Sequence, residues 1–340
     1  MKKIYPTYSK IFKCIASDCP DTCCALWEVV IDSEFQKLYK SHPSHAAKKA
    51  TQAMYIDKDN DVCLRLNNSR CPMLNCDNLC EIYIEMGKDA LCDVCKTFPR
   101  YNKPVENVML SGISLSCPEA ARLILCDDTF GCLNDNPDFK DENAKFILKI
   151  YNLFRNFVIK ESFFDKIKLA QDIQDDIDFG DINFLNKYFS SYKNSATSHP
   201  SAKEILHTVK SFSKLEFLTD KWMFLLNELC NHLTYALKDS DYLNTRNEIF
   251  KKMYVSKEIK NITIYFLYKY LAEALEYTDV FNMYKLSLIC SFVICELYTM
   301  EIIKNKTISI DTKIEIAQTF SKEFEHSEDN LRFLIDINME

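Results

Sequence analysis

The stretch KFILKIYNLFRNFVIK, residues 145–160, decides the fold class of this 340-residue chain. Its apolar side chains recur every three or four positions, which is the spacing of one face of an α-helix. Thr219 or Asp220 is the predicted N-cap of a second such run. The remaining helical runs occupy residues 203–211, 215–238, 243–254, 257–277, 280–304 and 311–323. We therefore predict a mainly α protein with an α-helical bundle domain over residues 140–340.

The residues before this bundle are irregular and rich in cysteine. Thirteen of the sixteen cysteines lie at or before Cys132, and the other three lie in apolar helical runs. Short strands are predicted at EVVID (28–32) and VCLRL (62–66), and short helices at EFQKLYK, EIYIEM and PEAARLIL. Small cysteine-dense domains commonly depend on a metal for stability. We predict an irregular, cysteine-rich metal-binding domain over residues 1–135.

Composition and hydropathy exclude several classes of protein. The formal net charge is -7 and the pI is about 5.5, so nucleic acid is a poor candidate partner. The N-terminus has no apolar segment of the signal-peptide kind. LSLICSFVIC, residues 286–295, is about half a membrane span long and favours a buried core helix. We expect a soluble, cytoplasmic protein without membrane contact, and the oligomeric state stays open.

The cysteines fall into four groups. These are CIASDCPDTCCALW (14–27), CPMLNCDNLC (71–80), CDVC (92–95) and SCPEAAR (116–122). Disulfides are rare in a reduced compartment, whereas thiolates are soft ligands for zinc or iron–sulfur clusters. One C-x2-C pair is present where a zinc ribbon needs two. Groups spread over about 100 residues favour a folded cage, and Cys63, Cys126 and Cys132 fit a purely structural role best.

The sequence lacks the common signatures of nucleotide and S-adenosylmethionine binding. There is no glycine-rich dinucleotide loop and no P-loop. The C-x3-C-x2-C spacing of radical S-adenosylmethionine enzymes is also absent. The six histidines lie away from the cysteine groups, so surface or core positions suit them better than metal ligation.

The four cysteine motifs, read in order, resemble the flagellin lysine-N-methylase family. That family is related to the YkgJ-type cysteine-cluster proteins, which are described as zinc- or iron-chelating. The resemblance covers about residues 8–125. It implies methyl transfer from S-adenosylmethionine to lysine side chains of flagellin, with a cysteine-bound [4Fe-4S] cluster. Zinc is the alternative metal.

The resemblance also implies a set of metal ligands. The motif cysteines are Cys14, Cys19, Cys23, Cys24, Cys71, Cys80, Cys95 and Cys117. Cys76 and Cys92 are ligands of second rank. Eight ligands exceed the four that one [4Fe-4S] cluster needs, so either a second metal exists or some of these cysteines are structural.

Residues other than cysteine offer fewer candidates. Trp27 is a candidate to cover the cluster or the adenine of the methyl donor, with plain packing as the alternative. Arg100 and Arg122 are candidates to pair with the donor carboxylate, with structural salt bridges as the alternative. Tyr83 and Glu85 face either substrate or solvent. No catalytic base is assigned.

Two rival functions remain open from the sequence. One is a non-enzymatic zinc- or iron-binding structural or interaction module. The other is a maturation or redox enzyme that uses the cluster for electron transfer. In the methyltransferase interpretation, the helical domain recognises the substrate, because the cysteine-rich part is occupied with metal.

Overall fold

The described structure falls into two compact units. A computed structural model describes residues 1–58, 60–134, 142–160, 200–272 and 280–336. The cysteine-rich unit comprises Lys13–Tyr101 and Cys117–Glu119. The helical unit comprises Met1–Phe12, Asn102–Ser116 and Ala120–Glu340. Both units are therefore assembled from segments that are separate in the chain.

Helices dominate the secondary structure, which confirms the predicted mainly α class. The strands are β1 (Lys2–Ile4), β2 (Val29–Val30), β3 (Met54–Ile56), β4 (Val62–Leu64), β5 (Arg100–Val105) and β6 (Val108–Ile113). The first helices are α1 (Tyr8–Ile11), α2 (Ser33–Ser41), α3 (His45–Ala53), α4 (Glu81–Met86), α5 (Asp93–Thr97) and α6 (Pro118–Leu125). The long helices are α7 (Glu142–Lys160), α8 (Ala202–Ser211), α9 (Asp220–Ala236), α10 (Ser240–Tyr254), α11 (Lys257–Leu271), α12 (Val280–Asn305), α13 (Ile310–Glu325) and α14 (Glu328–Asp336).

The cysteine-rich unit is built on a small antiparallel sheet in the order β2–β4–β3. Val29 pairs with Leu64 and Val30 with Cys63, so both predicted strands form and lie side by side. One face of the sheet joins α2 and α3 in an apolar core that includes Ile31. The core is small and contributes limited stability, which is the situation in which the sequence analysis expects a stabilising metal.

The helical unit packs its helices against a second sheet, in the order β1–β6–β5. β1 pairs in parallel with β6, from Lys2 opposite Val108 to Ile4 opposite Leu110. The Tyr268 hydroxyl on α11 donates to the carbonyl oxygens of Ile4 (2.7 Å) and Ser111 (3.1 Å), which fixes the helix to this sheet.

The helix starts follow ordinary capping chemistry. Thr219, one of the two predicted N-caps, accepts a hydrogen bond from the Trp222 N–H at 3.0 Å, and α9 begins at Asp220 rather than at residue 215. Ser201 and Glu204 form a reciprocal capping box at the start of α8. Residues 273–277 of the predicted 257–277 helix lie outside the described residues.

The helix α12 is the centre of the helical unit. It packs against α9, α10, α11 and α13. By length and composition its segment Asn282–Asn305 meets the requirements of a membrane span, but 83% of the most apolar window is buried inside the protein. Residues 286–295 are all buried, which confirms the prediction of a core helix there.

Candidate functional site

Thiols from three segments of the cysteine-rich unit converge beside its apolar core. The Cys24 thiol interacts with the thiols of Cys71 and Cys80. The Cys95 thiol interacts with those of Cys92 and Cys71. We call the set the thiol cluster, and it consists of Cys23, Cys24, Cys71, Cys80, Cys92 and Cys95. Residues up to 72 positions apart in sequence thus share one site.

Backbone hydrogen bonds hold the first two segments together. The Cys71 N–H donates to the Cys24 carbonyl oxygen at 2.8 Å. Leu74 forms a bridge with Cys80, and the Glu81 N–H donates to the Met73 carbonyl oxygen at 2.8 Å, which closes the loop onto itself. Cys71 and Cys80 are therefore positioned by the backbone.

An asparagine turn shapes the middle of the second segment. The Asn75 Oδ1 accepts hydrogen bonds from the backbone N–H groups of Asp77 and Leu79, both at 2.9 Å. This is the usual way in which asparagine stabilises a turn. Cys76 lies in the turn and is exposed, in contrast to the buried Cys71.

The third segment is anchored by α2. The Asp93 N–H at the start of α5 donates to Asp32 Oδ2 at 3.0 Å. The buried Tyr39 hydroxyl donates to the Ala90 carbonyl oxygen at 2.6 Å. These two bonds fix the short helix that carries Cys92 at its N-cap and Cys95 in its first turn.

Four sulfur atoms of this unit accept hydrogen bonds from the backbone N–H two residues further along the chain. The donor and acceptor pairs are Ala16 to Cys14, Asp21 to Cys19, Met73 to Cys71 and Ile82 to Cys80. Such N–H donors stabilise the thiolate form of cysteine, and they orient thiolates that ligate metals. The donor set is therefore suited to a soft metal or an iron–sulfur cluster.

Most of the clustered thiols resist ionisation. Burial raises the pKa of Cys71 to about 11. The hydrogen bond to Cys92, followed by burial, raises the pKa of the Cys95 thiol, and the same bond lowers the pKa of Cys92. A metal must therefore displace protons from most of the thiols, so its binding should strengthen as pH rises.

The remaining predicted ligands lie in different environments. Cys19 is half-buried and interacts with the thiols of Cys14 and Cys23, which links the first segment to the thiol cluster. Cys117 is buried immediately before α6. Cys92, a ligand of second rank in the sequence analysis, is 2% exposed and belongs to the thiol cluster. Its spacing in the sequence does not reveal this buried position.

Three cofactor-binding candidates are placed on two units. Trp27 is half-buried, and its ring packs on that of Phe98 with centroids 5.7 Å apart. Arg100 is exposed at the start of β5, and Arg122 is exposed on α6. In the packing alternative for Trp27, the contacting side chain is therefore Phe98.

The structure also gives the positions of five other residues singled out in the sequence. Tyr83 is 54% exposed on α4, whereas Glu85 accepts a hydrogen bond from the Ala46 N–H at 2.9 Å and so supports the start of α3. Cys63 is buried on β4, and Cys126 and Cys132 are exposed. Glu85 therefore has a structural contact rather than an open carboxylate.

A second group of potential metal ligands went unnoticed in the sequence. Ligand atoms of Glu28, Asp57 and Cys63 all lie within 4.8 Å of one another. Only sheet pairing brings these residues together, because they are 6 to 35 positions apart and belong to no spaced motif.

A thiol cluster on a small core, in a chain whose larger part is helical, defines a cysteine-cluster protein of mainly α fold. The model of the FliB lysine N-methylase C-terminal domain matches residues 133–340, which is more than half of the chain. The chain therefore belongs to the FliB lysine N-methylase family.

Individual relatives agree with this assignment. The chain is 32% identical over 146 residues to the flagellar biosynthetic protein FliU of Salmonella muenchen, covering 39% of this chain and 83% of that protein. It is 32% identical over 134 residues to the lysine-N-methylases of Salmonella typhimurium and Salmonella choleraesuis, covering 36% of this chain. The chain thus spans about a third of the length of those two enzymes, at 32% of each. No solved structure matches.

Proposed function

We propose that this chain is a protein lysine N-methyltransferase that uses S-adenosylmethionine to methylate flagellin. The convergence of six thiols from three segments supports a metal-dependent role for the cysteine-rich unit. The lysine-N-methylase and flagellar names of the relatives support the reaction and the substrate.

The proposed reaction is a direct methyl transfer. The lysine nitrogen attacks the sulfonium methyl, the carbon–sulfur bond breaks, and S-adenosylhomocysteine leaves. The amine must lose its proton first, since the reference pKa of lysine is about 10.4. Desolvation in a closed site would lower that pKa and expose the nitrogen lone pair.

We propose a [4Fe-4S] cluster at the thiol cluster, with Cys71, Cys80, Cys92 and Cys95 as its ligands. The N–H donors to Cys71 and Cys80 would hold these thiolates in place. Asp32 and Tyr39 would fix the segment that carries the other two. When bound, the cluster, with one thiolate on each of its four irons, would tie these two segments together and stabilise the unit around them.

Metal analysis of anaerobically purified protein is the first test. We expect about four irons and four sulfides per chain, as one [4Fe-4S] cluster requires. Cys92→Ser should lose this iron, whereas the matched variant Cys76→Ser should keep it, because Cys76 is exposed in its turn. Stoichiometric zinc in a colourless protein would refute the proposed cluster and indicate a structural zinc site instead.

A methylation assay tests the reaction separately. Purified flagellin, S-adenosylmethionine and the anaerobic enzyme should yield flagellin heavier by multiples of one methylene unit in mass spectra. The Cys76→Ser protein should behave like the parent. A metal-loaded parent that leaves every flagellin lysine unmodified would refute the proposed substrate and favour the binding-module alternative.

A further inference from the structure

A second convergent ligand set lies on the outer face of the β2–β4–β3 sheet. Val30 and Tyr55 both pair with Cys63 across the sheet. Side chains two residues apart on a strand share a face, so Glu28, beside Val30, and Asp57, beside Tyr55, belong to the face of Cys63. The opposite face, which includes Val29 and Leu64, is buried in the core.

The site combines a buried sulfur with two more accessible carboxylates. Cys63 is 1% exposed, Asp57 is half-buried and Glu28 is exposed. All three ligand atoms lie within 4.8 Å of one another. The buried thiol distinguishes this set from a surface patch of acidic side chains.

Neighbouring groups orient both carboxylates. The Asp61 N–H donates to Asp57 Oδ1 at 2.8 Å, which leaves Oδ2 beside the Cys63 thiol at 3.5 Å. The Tyr55 hydroxyl donates to Glu28 Oε1. Hydrogen bonds of this kind hold metal-ligating carboxylates in position.

A divalent cation between Glu28 and Asp57 would be attracted by both carboxylates. It would replace the thiol proton that Cys63 donates to Asp57 Oδ2, and this proton would leave to solvent.

We propose that Glu28, Asp57 and Cys63 bind a zinc ion. One sulfur and two carboxylates suit zinc, whereas calcium and magnesium take about six or more oxygen ligands. Tetrahedral zinc, with bonds of about 2.0–2.3 Å, places its ligand atoms roughly 3.3–3.8 Å apart, and the Cys63 sulfur already lies 3.5 Å from Asp57 Oδ2.

This zinc site is independent of the proposed function, because none of its three ligands belongs to the thiol cluster. Zinc usually has four ligands, and among the described residues these side chains supply three of them.

Zinc titration of the full-length protein, followed by desalting and metal analysis, tests the proposal. The parent should retain one zinc more per chain than Asp57→Asn and than Cys63→Ala. Tyr55→Phe should retain the site with zinc binding weakened about 10–100-fold, as for the loss of an outer hydrogen bond. Circular dichroism of each variant checks that the small sheet is intact.

Two control variants make the result decisive. Asp61→Asn should keep the zinc, because this carboxylate is not one of the converging ligands. Cys92→Ser should lose metal from the thiol cluster and keep this zinc. Equal zinc in the parent and Asp57→Asn would overturn the proposal, as would a loss in Asp61→Asn that matches Asp57→Asn. Loss of the zinc in Cys92→Ser would place it in the thiol cluster instead.

Discussion

Replacement of Arg246 by methionine should severely destabilise the helical unit. Arg246 on α10 and Glu296 on α12 form a salt bridge in which both side chains are 0% exposed. The Arg246 Nε donates to Glu296 Oε1 at 3.0 Å, and the second oxygen accepts from Nη2. His232 on α9 lies 3.0 Å from Glu296 Oε1. One carboxylate therefore joins three helices.

The expected loss follows from the burial of this pair. Removal of one partner from a buried ion pair costs about 3–5 kcal/mol, because a charge is left uncompensated. For a domain of 150–250 residues, each kcal/mol lowers Tm by about 2–4 °C, so Arg246→Met should lower Tm by about 6–20 °C. Arg246→Met combined with Glu296→Gln should recover most of the loss, since the buried charge is gone.

The pH dependence of this loss has a definite sign. Although burial opposes it, the charge of Arg246 and the hydrogen bonds from His232 and Arg246 keep the pKa of Glu296 below its ordinary value. Its stabilising contribution in the parent is complete above a pH of about 4.3 and is lost as pH falls through the lower folded-state pKa. In Arg246→Met, the charge of Arg246 is gone and burial raises the pKa of Glu296. Glu296 therefore takes up a proton more readily at acidic pH, which removes the uncompensated charge that destabilises the variant. The loss should thus be greater at pH 8 than at pH 5.

Urea unfolding followed by circular dichroism at both pH values measures these losses. Lys221→Met is the matched control, because it removes a lysine from an ion pair with Glu315 whose side chains are 58% and 59% exposed. That change should cost less than about 1 kcal/mol. A loss for Arg246→Met as small as the control, or one that grows on acidification, would refute the reasoning.

Three further predictions concern other elements. Gly131→Ala should cost about 2–5 kcal/mol in urea unfolding, because φ is +67° and the added Cβ would lie 2.6 Å from both Ile264 Cγ2 and the Tyr151 hydroxyl; an unchanged midpoint would contradict this. Ser201→Ala should cost about 0.5–2 kcal/mol through loss of the capping box, and Ser201→Gly should cost less. In a competition with a chelator, metal retention by the parent should increase from pH 6 to pH 8, since thiols such as Cys71, with a pKa raised to about 11, must release protons; equal retention at both pH values would argue against thiolate ligation.

Local patterns predicted much of the helical unit. The stripe in residues 145–160 specifies α7 because an amphipathic helix depends only on neighbouring positions, and its members Ile147, Phe154 and Val158 are buried. Thr219 is identifiable as an N-cap for the same reason. The sequence also predicts Asp279 as the N-cap of α12, but this residue lies outside the described residues.

Contacts between distant segments could not be predicted in this way. β1 is three residues long and pairs with β6 more than 100 residues away, and no local pattern records such a pairing. Pro104 within β5 argues against a strand in the sequence, because proline lacks the N–H donor of an inner strand. β5 lies at the edge of its sheet, where proline is tolerated.

The candidate site shows the same division. The sequence identifies the cysteine groups, since thiols have a distinctive chemistry. The choice among them depends on turns such as that of Asn75, which leaves Cys76 exposed while Cys71 is buried. Glu28, Asp57 and Cys63 are invisible as a set, because only the register of β2, β4 and β3 brings them together.

The interleaved composition of the two units has a consequence for synthesis on the ribosome. The cysteine-rich unit is complete once Glu119 has been made, whereas the helical unit waits for α14, which ends at Asp336. At about 5–20 residues per second, those 217 residues take about 10–40 s. During that interval β1 has been made, but the helices that complete its unit have not. A nascent chain can therefore bring its cysteine groups together before its larger unit exists, and the metal proposed for the thiol cluster would bind to a half-made protein.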